Sequence, residues 1–206
     1  MISILTFGQT IKLQTGISLS QLDWKYTGIS VDPIYKETFI GYSVLAGIDY
    51  LESKYFNLSG NLGVLRKGGK GEIQLVNQSG EITGQTITNT PTLDYLLLNT
   101  TIEIKYPIKE RISPFISVGP QFEYLLNNSE QFDGLKKTNE LHSTSIGLLL
   151  GGGVTYDLQK IQLGLRADYL VNFTKVADWT NEQTGIGGEI ALKTFTTHLI
   201  IGYKLK

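Results

Sequence analysis

An alternation of apolar residues with small or polar residues recurs in eight segments of this chain, and it limits the fold more than any other feature. Between 161 and 173 every second residue is apolar, while the residues between them include Gln162, Arg166 and Asp168. Neighbouring residues of a β-strand point to opposite faces of the sheet, so the pattern predicts strands with one apolar face. The eight predicted strands cover 11–19, 40–50, 56–64, 95–105, 116–124, 145–156, 161–173 and 196–205.

The composition of the two faces indicates which side faces which solvent. No residue of the apolar set is charged, and the opposite set consists mainly of Gly, Ser, Thr, Asn and Gln. Charged residues make up only 18% of the chain, below the roughly 25% of soluble domains. A soluble barrel needs a charged outer face. We therefore predict that the apolar side chains point outward to hydrocarbon and the polar ones inward, as in an outer-membrane barrel.

The connections between these segments support the same fold. Short links at 51–54, 107–111 and 157–160 alternate with long ones at 21–37, 66–92, 127–142 and 174–193. Outer-membrane barrels have short periplasmic turns and long extracellular loops. No run of about 18 apolar residues is present, which excludes a transmembrane helix. The prediction is an all-β fold: an eight-stranded antiparallel up-and-down transmembrane β-barrel in the outer membrane of a Gram-negative bacterium.

Aromatic residues collect at both ends of the predicted strands, as in interfacial girdles. One rim carries Tyr50, Phe56, Tyr106, Tyr156 and Tyr203, and the other carries Tyr42, Phe122, Tyr124, Tyr169 and Phe173. Proline removes a hydrogen bond from a strand ladder. Pro107, Pro114 and Pro120 are therefore expected to mark a turn and a bulge.

The chain is predicted to form one domain over 10–206, preceded by a start of different character. Residues 1–9 resemble the end of a signal peptide with its cleavage site, although an ordinary first strand or a disordered start is the alternative. In the second long loop, β runs on either side of 77–80 predict a hairpin that extends strands beyond the membrane. The preceding Lys67–Gly71 stretch lacks the spacing of a phosphate-binding loop and is predicted to be a flexible hinge.

Ionisable residues on the polar face are expected to fill the lumen. Buried charges must be paired or hydrogen-bonded, so we predict an ion network that plugs the barrel, with Arg166 near Glu103 or Glu123. His198 is expected to be a hydrogen-bonding group of the lumen. A small conducting pore is the alternative, but eight strands leave little interior space. The charges assigned to the interior are Lys12, Asp49, Glu103, Lys105, Glu123, Arg166, Asp168 and Lys204.

Other function classes find little support in the residues. The chain has no cysteine and a formal charge of -1, which argues against thiolate chemistry and nucleic-acid binding. No calcium or phosphate motif is present, so neither metal nor cofactor is expected. His142 with Ser143, Ser145 and an acid such as Asp133 or Glu140 is the one candidate triad. Adjacent strand residues point oppositely, which makes the contact between His142 and Ser143 unfavourable.

Aromatic residues in the long loops are candidates for interaction with a partner or a sugar. Packing of these side chains over the barrel mouth is an equal alternative. The residues are Trp24, Tyr26, Tyr35, Phe132 and Trp179.

Four segments carry a family resemblance. They are 11–17 (IKLQTGI), 113–120 (SPFISVGP), 147–154 (GLLLGGGV) and 200–206 (IIGYKLK). With them the chain resembles the small outer-membrane β-barrel proteins of Bacteroidetes, the PorT-like group. The resemblance implies an outer-membrane location, insertion by the barrel-assembly machinery and, for some members, a role in type IX secretion or gliding. The chain ends Leu205-Lys206 instead of in the usual aromatic residue.

Three functions remain open at this point. The first is a non-enzymatic, porin-like outer-membrane barrel with a plugged lumen that acts through its extracellular loops or as an accessory of a surface or secretion assembly. It would contact outer-membrane lipid and, at its loops, a protein partner. The second is a lipid-modifying enzyme of the outer membrane, which requires a Ser–His–acid cluster at one interface. The third is a soluble lipocalin-like carrier, for which the two faces would be reversed.

Overall fold

The computed structural model describes residues 9–28, 35–76, 82–108, 111–180 and 185–205. The predicted signal remnant lies outside these residues except for Gln9. The strands are β1 (Thr10–Thr27), β2 (Phe39–Glu52), β3 (Phe56–Gly68), β4 (Gly71–Val76), β5 (Ile82–Asn89), β6 (Thr92–Lys105), β7 (Ile112–Asn128), β8 (Thr144–Leu158), β9 (Ile161–Asn172), β10 (Ala177–Thr180) and β11 (Gly187–Lys204). A short 3-10 turn, Glu130–Phe132, and helix α1 (Asp133–Lys137) lie between β7 and β8.

Eight of these strands form a closed antiparallel barrel, as the alternation predicts. Neighbouring strands pair in the order β1, β2, β3, β6, β7, β8, β9 and β11, and β1 then pairs with β11 to close the sheet. The connections β2–β3, β6–β7 and β8–β9 are short, and the start of β1 and the end of β11 lie at the same rim as these turns. We call this the turn end of the barrel, and the rim with the long loops the outer end.

Exposure of the side chains confirms that the barrel is apolar on its outside. On β9 the outward Leu165 is 56% exposed, whereas the adjacent inward Arg166 is 3% exposed. All ten aromatic residues predicted at the two rims are on the outer surface, and each is more than a third exposed. None of the described helices is long and apolar enough to cross a membrane.

At the outer end, β1 extends eight residues and β11 extends nine residues beyond the predicted bounds, so the segments 21–37 and 174–193, expected to be loops, are partly strand. Strand β1 continues to Thr27, and β11 begins at Gly187 and pairs with it along its full length. Strand β10 adds a further edge to β11. Above the outward apolar side chains, the barrel wall therefore continues at the outer end as a three-stranded sheet. We call this sheet the outer extension; it consists of β1 from Gln21, β11 up to Lys193, and β10.

The second long loop contains the predicted hairpin, since β4 and β5 pair antiparallel. Its turn at 77–80 lies outside the described residues. The flexible hinge expected at Lys67–Gly71 is wrong. Lys67 and Gly68 end β3 in register with β6, and Lys70 pairs with Glu37 through two backbone hydrogen bonds.

The prolines do not produce the expected bulge in β7. Pro107 follows β6, as a turn residue should, but Pro114 and Pro120 lie within β7. Pairing of β6 with β7 keeps one register on both sides of Pro120, from Asn99 opposite Gln121 to Ile102 opposite Val118. The register shift between these strands lies instead at Asp94 and Tyr95.

Candidate functional site

The lumen near the turn end is filled by an ion network of Lys12, Asp49, Glu103, Arg166 and Asp168. The Lys12 ammonium lies 2.6 Å from Asp49 and 3.6 Å from Glu103. The Arg166 guanidinium donates to Glu103 at 2.7 Å and to both oxygens of Asp168 at 2.8 Å. All five side chains are buried. Every charge has an opposite charge within hydrogen-bond reach, which offsets part of the cost of burying these groups.

Three of the expected lumen charges, Glu123, Lys105 and Lys204, lie outside this network. Arg166 contacts Glu103 and not Glu123, which lies closer to the outer end. Lys105 lies at the turn-end rim, 3.6 Å from Glu52. Lys204 lies at the same rim, 2.8 Å from Asp157.

His198 lies in the lumen beside this network. Its Nε2 lies 2.8 Å from the hydroxyl of Ser43, and its Nδ1 lies 3.7 Å from Asp168. This order of groups is that of a serine triad, but each residue is at most 3% exposed. The adjacent cavity measures about 10 Å³, which is space for one water molecule. A substrate therefore has no access to Ser43.

Above the ion network the lumen is closed by amides and then by leucines. Gln14 donates to Asn61 at 2.6 Å, and Asn61 donates to Asn99 at 2.8 Å. The next inward side chains form a buried cluster that we call the leucine layer. It consists of Leu45, Leu65, Leu97 and Leu170.

A second buried ion pair lies on the outer side of the leucine layer. Lys67 contacts Glu123 at 2.5 Å, and both side chains are fully buried. Asn172 donates to the other oxygen of Glu123 at 3.0 Å and accepts from Gln121 at 2.8 Å. Lys67 was not among the predicted lumen charges, because the glycines beside it suggest a hinge. The period-2 pattern of β3, continued by three residues, places it on the inward face.

The outer end is sealed by an apolar cluster that we call the outer cap. Its buried members come from the outer extension, from β6 and from the loops: Leu22, Tyr35, Leu93, Tyr95, Phe132, Leu141, Val176, Ala177, Ile190 and Leu192. The cap continues directly from the second ion pair, because the Lys67 ammonium lies 5.3 Å from the centre of the Tyr95 ring.

The five loop aromatics predicted as interaction residues pack against one another in or beside this cap. Trp24 is central, with ring-centre distances of 5.5 Å to Tyr35, 6.0 Å to Phe132 and 6.2 Å to Trp179. Burial raises the pKa of the Tyr35 phenol, and Tyr26 adds to the effect. Tyr35 and Phe132 are buried, whereas Tyr26 and Trp179 are half-buried and accessible from outside. Packing over the mouth therefore accounts for part of the set and leaves two rings for contact with a ligand.

The candidate triad at the outer surface does not assemble. His142 Nε2 lies 2.9 Å from Asp178, an acid that was not among the predicted partners. Ser145 is buried on the inward face of β8, while Ser143 is exposed. Asp133 bonds Asn128, and Glu140 bonds Thr138. Among the described residues, no group of three His, Asp or Glu side chains is placed to hold a metal ion.

Solved outer-membrane proteins share this architecture. The outer membrane protein OprG from Pseudomonas aeruginosa has a TM-score of 0.59 at 11% identity, over 96% of both chains. The outer membrane protein AlkL, solved in lipid bilayers, has a TM-score of 0.50 at 15% identity, over 100% of this chain and 94% of that one. At such identities the likeness shows the fold alone. No curated protein matches the chain in sequence.

The family follows from the sequence itself. The family model described as "Outer membrane protein beta-barrel domain" matches residues 2–178, which is most of the chain. The family and the fold together place the protein in the outer membrane of a Gram-negative bacterium. The chain belongs to the outer membrane protein β-barrel domain family.

Proposed function

We propose that the protein is a closed, non-enzymatic outer-membrane barrel that acts through the surface of its outer end. The observation that carries the proposal is the filling of the lumen along its whole length. Charges, amides, leucines, a second ion pair and the outer cap follow one another from the turn end to the outer end. A barrel of eight strands whose interior is filled in this way serves as a rigid support for its loops.

The closed lumen is tested by conductance in planar lipid bilayers. We expect the folded protein to give no discrete openings, while a sixteen-stranded porin in the same bilayers supplies the open control. Heat-modifiable gel mobility of the same preparation shows that the inserted protein is folded. Regular single-channel steps from folded protein would contradict the proposal.

The absence of catalysis is tested with Ser43→Ala. Ser43 is the serine with a histidine and an acid in triad order, and its burial supports a structural role. We expect the wild type and the variant to release equally little fatty acid from phospholipid vesicles. A release that disappears in Ser43→Ala would favour the lipid-modifying enzyme instead.

Two narrower assignments belong to the same proposal. The four segments that resemble the PorT-like group support a place among the Bacteroidetes barrels and an accessory role in a surface or secretion assembly. The barrel topology supports insertion by the barrel-assembly machinery, for which Tyr203 and Leu205 are the terminal apolar residues at the turn end. Replacing both with serine is expected to reduce the amount of folded protein in the outer membrane.

A further inference from the structure

The outer extension carries a cavity whose lining is polar. The cavity measures about 410 Å³, within the range of small-molecule sites. It lies at the tip of β1, β10 and β11, beyond the apolar belt, and so faces the water or the sugar layer outside the membrane. Its lining consists of Thr27, Lys175, Asp178, Trp179, Thr180, Gly185, Gly187, Gly188 and Glu189.

The three strands hold the lining in a fixed arrangement. Gly188 lies between Trp179 on β10 and Tyr26 on β1, and the next row places Gly187 between Thr180 and Thr27. A Cβ at Gly188 would lie 2.3 Å from an indole carbon of Trp179. The glycine is therefore needed for the indole to lie against β11 at this point.

The indole of Trp179 is also held from the side of the cap. It meets the rings of Trp24 and Tyr26 edge-on, with ring centres 6.2 and 6.0 Å apart. Aromatic pairs at such distances and angles are favourable. The cavity is thus bounded by a half-buried aromatic residue that is ordered before any ligand binds, which lowers the entropic cost of binding.

The charged groups of the cavity exclude several classes of ligand. The two carboxylates of the lining, Asp178 and Glu189, already have partners. Lys175 lies 2.6 Å and Lys25 lies 3.8 Å from Glu189, and His142 Nε2 lies 2.9 Å from Asp178. The hydrogen bond with Glu189, followed by its charge, raises the pKa of Lys175. Because each charged group of the lining is already paired, none is left to select a phosphate, a sulfate or a cation by charge, and the polar lining disfavours an apolar ligand.

What remains is a neutral ligand rich in hydroxyl groups. Carboxylates accept hydrogen bonds from hydroxyls, the lysine and backbone amides donate to them, and the threonines do both. A ring such as that of Trp179 offers apolar surface to the C–H face of a sugar. We propose that this cavity binds a neutral carbohydrate at the cell surface. The proposal deepens the proposed function, on which it rests, by naming the ligand class of the outer end.

The first experiment uses the full-length barrel in phosphocholine detergent, since sugar-based detergents would compete. An array presents neutral oligosaccharides beside sulfated forms of the same backbones, and spermidine is titrated separately as a cationic probe. We expect binding to at least one neutral oligosaccharide and weaker binding to its sulfated form. Preference for the sulfated forms, binding of spermidine alone, or no binding at all would overturn the proposal.

The second experiment places the bound oligosaccharide in the cavity. The Trp24→Phe variant leaves Trp179 as the one tryptophan of the chain, so its fluorescence reports binding. In that background we expect Glu189→Gln to weaken binding about tenfold, as the loss of a hydrogen bond to a charged group does. The matched control is Glu37→Gln, which makes the same change at an exposed acid that pairs with Lys70 and does not line the cavity.

Equal affinities of Glu189→Gln and Glu37→Gln would show that the sugar binds elsewhere, and would overturn the proposal. Gel mobility confirms that each variant is folded. The conductance test is independent of this result. If the protein is closed in bilayers but binds none of the probes, the carbohydrate site is wrong and the proposal of a closed barrel stands.

Discussion

The membrane-spanning part of the barrel is closed mainly by polar groups around one leucine layer, whereas the outer extension is closed by the apolar outer cap. In the membrane the inward residues of β1 are polar, among them Gln14, Ser18 and Ser20, whereas beyond it they are Leu22, Trp24 and Tyr26. The solvent explains the change, because apolar side chains face lipid below the boundary and turn inward where water surrounds the barrel. Strand β1 thus combines two patterns: its apolar residues face outward in the membrane, and they face inward in the outer extension.

The change in β1 lies at a definite place in the sequence. Apart from Thr15, outward residues are apolar up to Leu19 and polar from Gln21, so the apolar positions move from odd to even numbers between them. In β11 the inward residues change in the same way, from Thr196 and Thr194 to Leu192 and Ile190. These paired changes mark the level at which the hydrocarbon ends.

The largest loss of stability is expected where a buried charge in the membrane-spanning part loses its partner. Arg166→Leu would leave Glu103 and Asp168 without their shared cation, and we expect a loss of about 3–5 kcal/mol in the free energy of unfolding. Urea unfolding in lipid vesicles, followed by gel mobility, measures it. A variant as stable as the wild type would show that the lumen network is not required to close the barrel.

The boundary itself is tested by adding a cation to the outer surface on either side of it. Leu165→Arg places a guanidinium in the lipid-facing belt, where it costs roughly 2–4 kcal/mol at mid-bilayer. The control Gln21→Arg makes an exposed change above the boundary and is expected to stay within about 0.5 kcal/mol. Equal folding yields for the two variants in vesicles would place the boundary elsewhere.

The outer cap is tested with two substitutions of similar size at one position. Ile190 is fully buried in the cap, so Ile190→Thr should cost about 1–3 kcal/mol more than Ile190→Val, because its hydroxyl enters an apolar cluster. Tryptophan fluorescence measures this, since both tryptophans lie at the outer end. Equal unfolding midpoints of the two variants would mean that water reaches the cap.

The sequence was sufficient to predict the barrel because eight strands repeat one simple pattern. It failed where that pattern changes phase, since a search for one continuous apolar face ends β1 at Leu19 and assigns the outer extension to loops. Lys67 was lost for a related reason, because Gly68 and Gly69 beside it suggest a hinge. The signal that could have found both is alternation itself, followed without regard to which face is apolar.

The pairing of lumen charges could be predicted only in part. Period 2 shows which charges face inward, but the partner of each depends on the register between strands far apart in sequence. Arg166 lies 63 residues from Glu103, and Lys67 lies 56 residues from Glu123. The outer cap joins strand residues to side chains such as Tyr35 and Phe132 that lie outside the strands and carry no periodic signal, so its packing could not be predicted.

The smallest expected effect comes from a matched pair of lysines on β1, each of which contacts two carboxylates. The carboxylates are Asp49 and Glu103 for Lys12, and Asp23 and Glu189 for Lys25. The side chain of Lys12 is 3% exposed and that of Lys25 is 56% exposed.

We expect Lys25→Met to change the free energy of unfolding by at most about 1 kcal/mol, against about 3–5 kcal/mol for Lys12→Met. Salt screens exposed pairs far more than buried ones, so 0.5 M NaCl should remove the first effect and leave the second. If salt removed both effects alike, water would have to reach the ion network, and the lumen would be open.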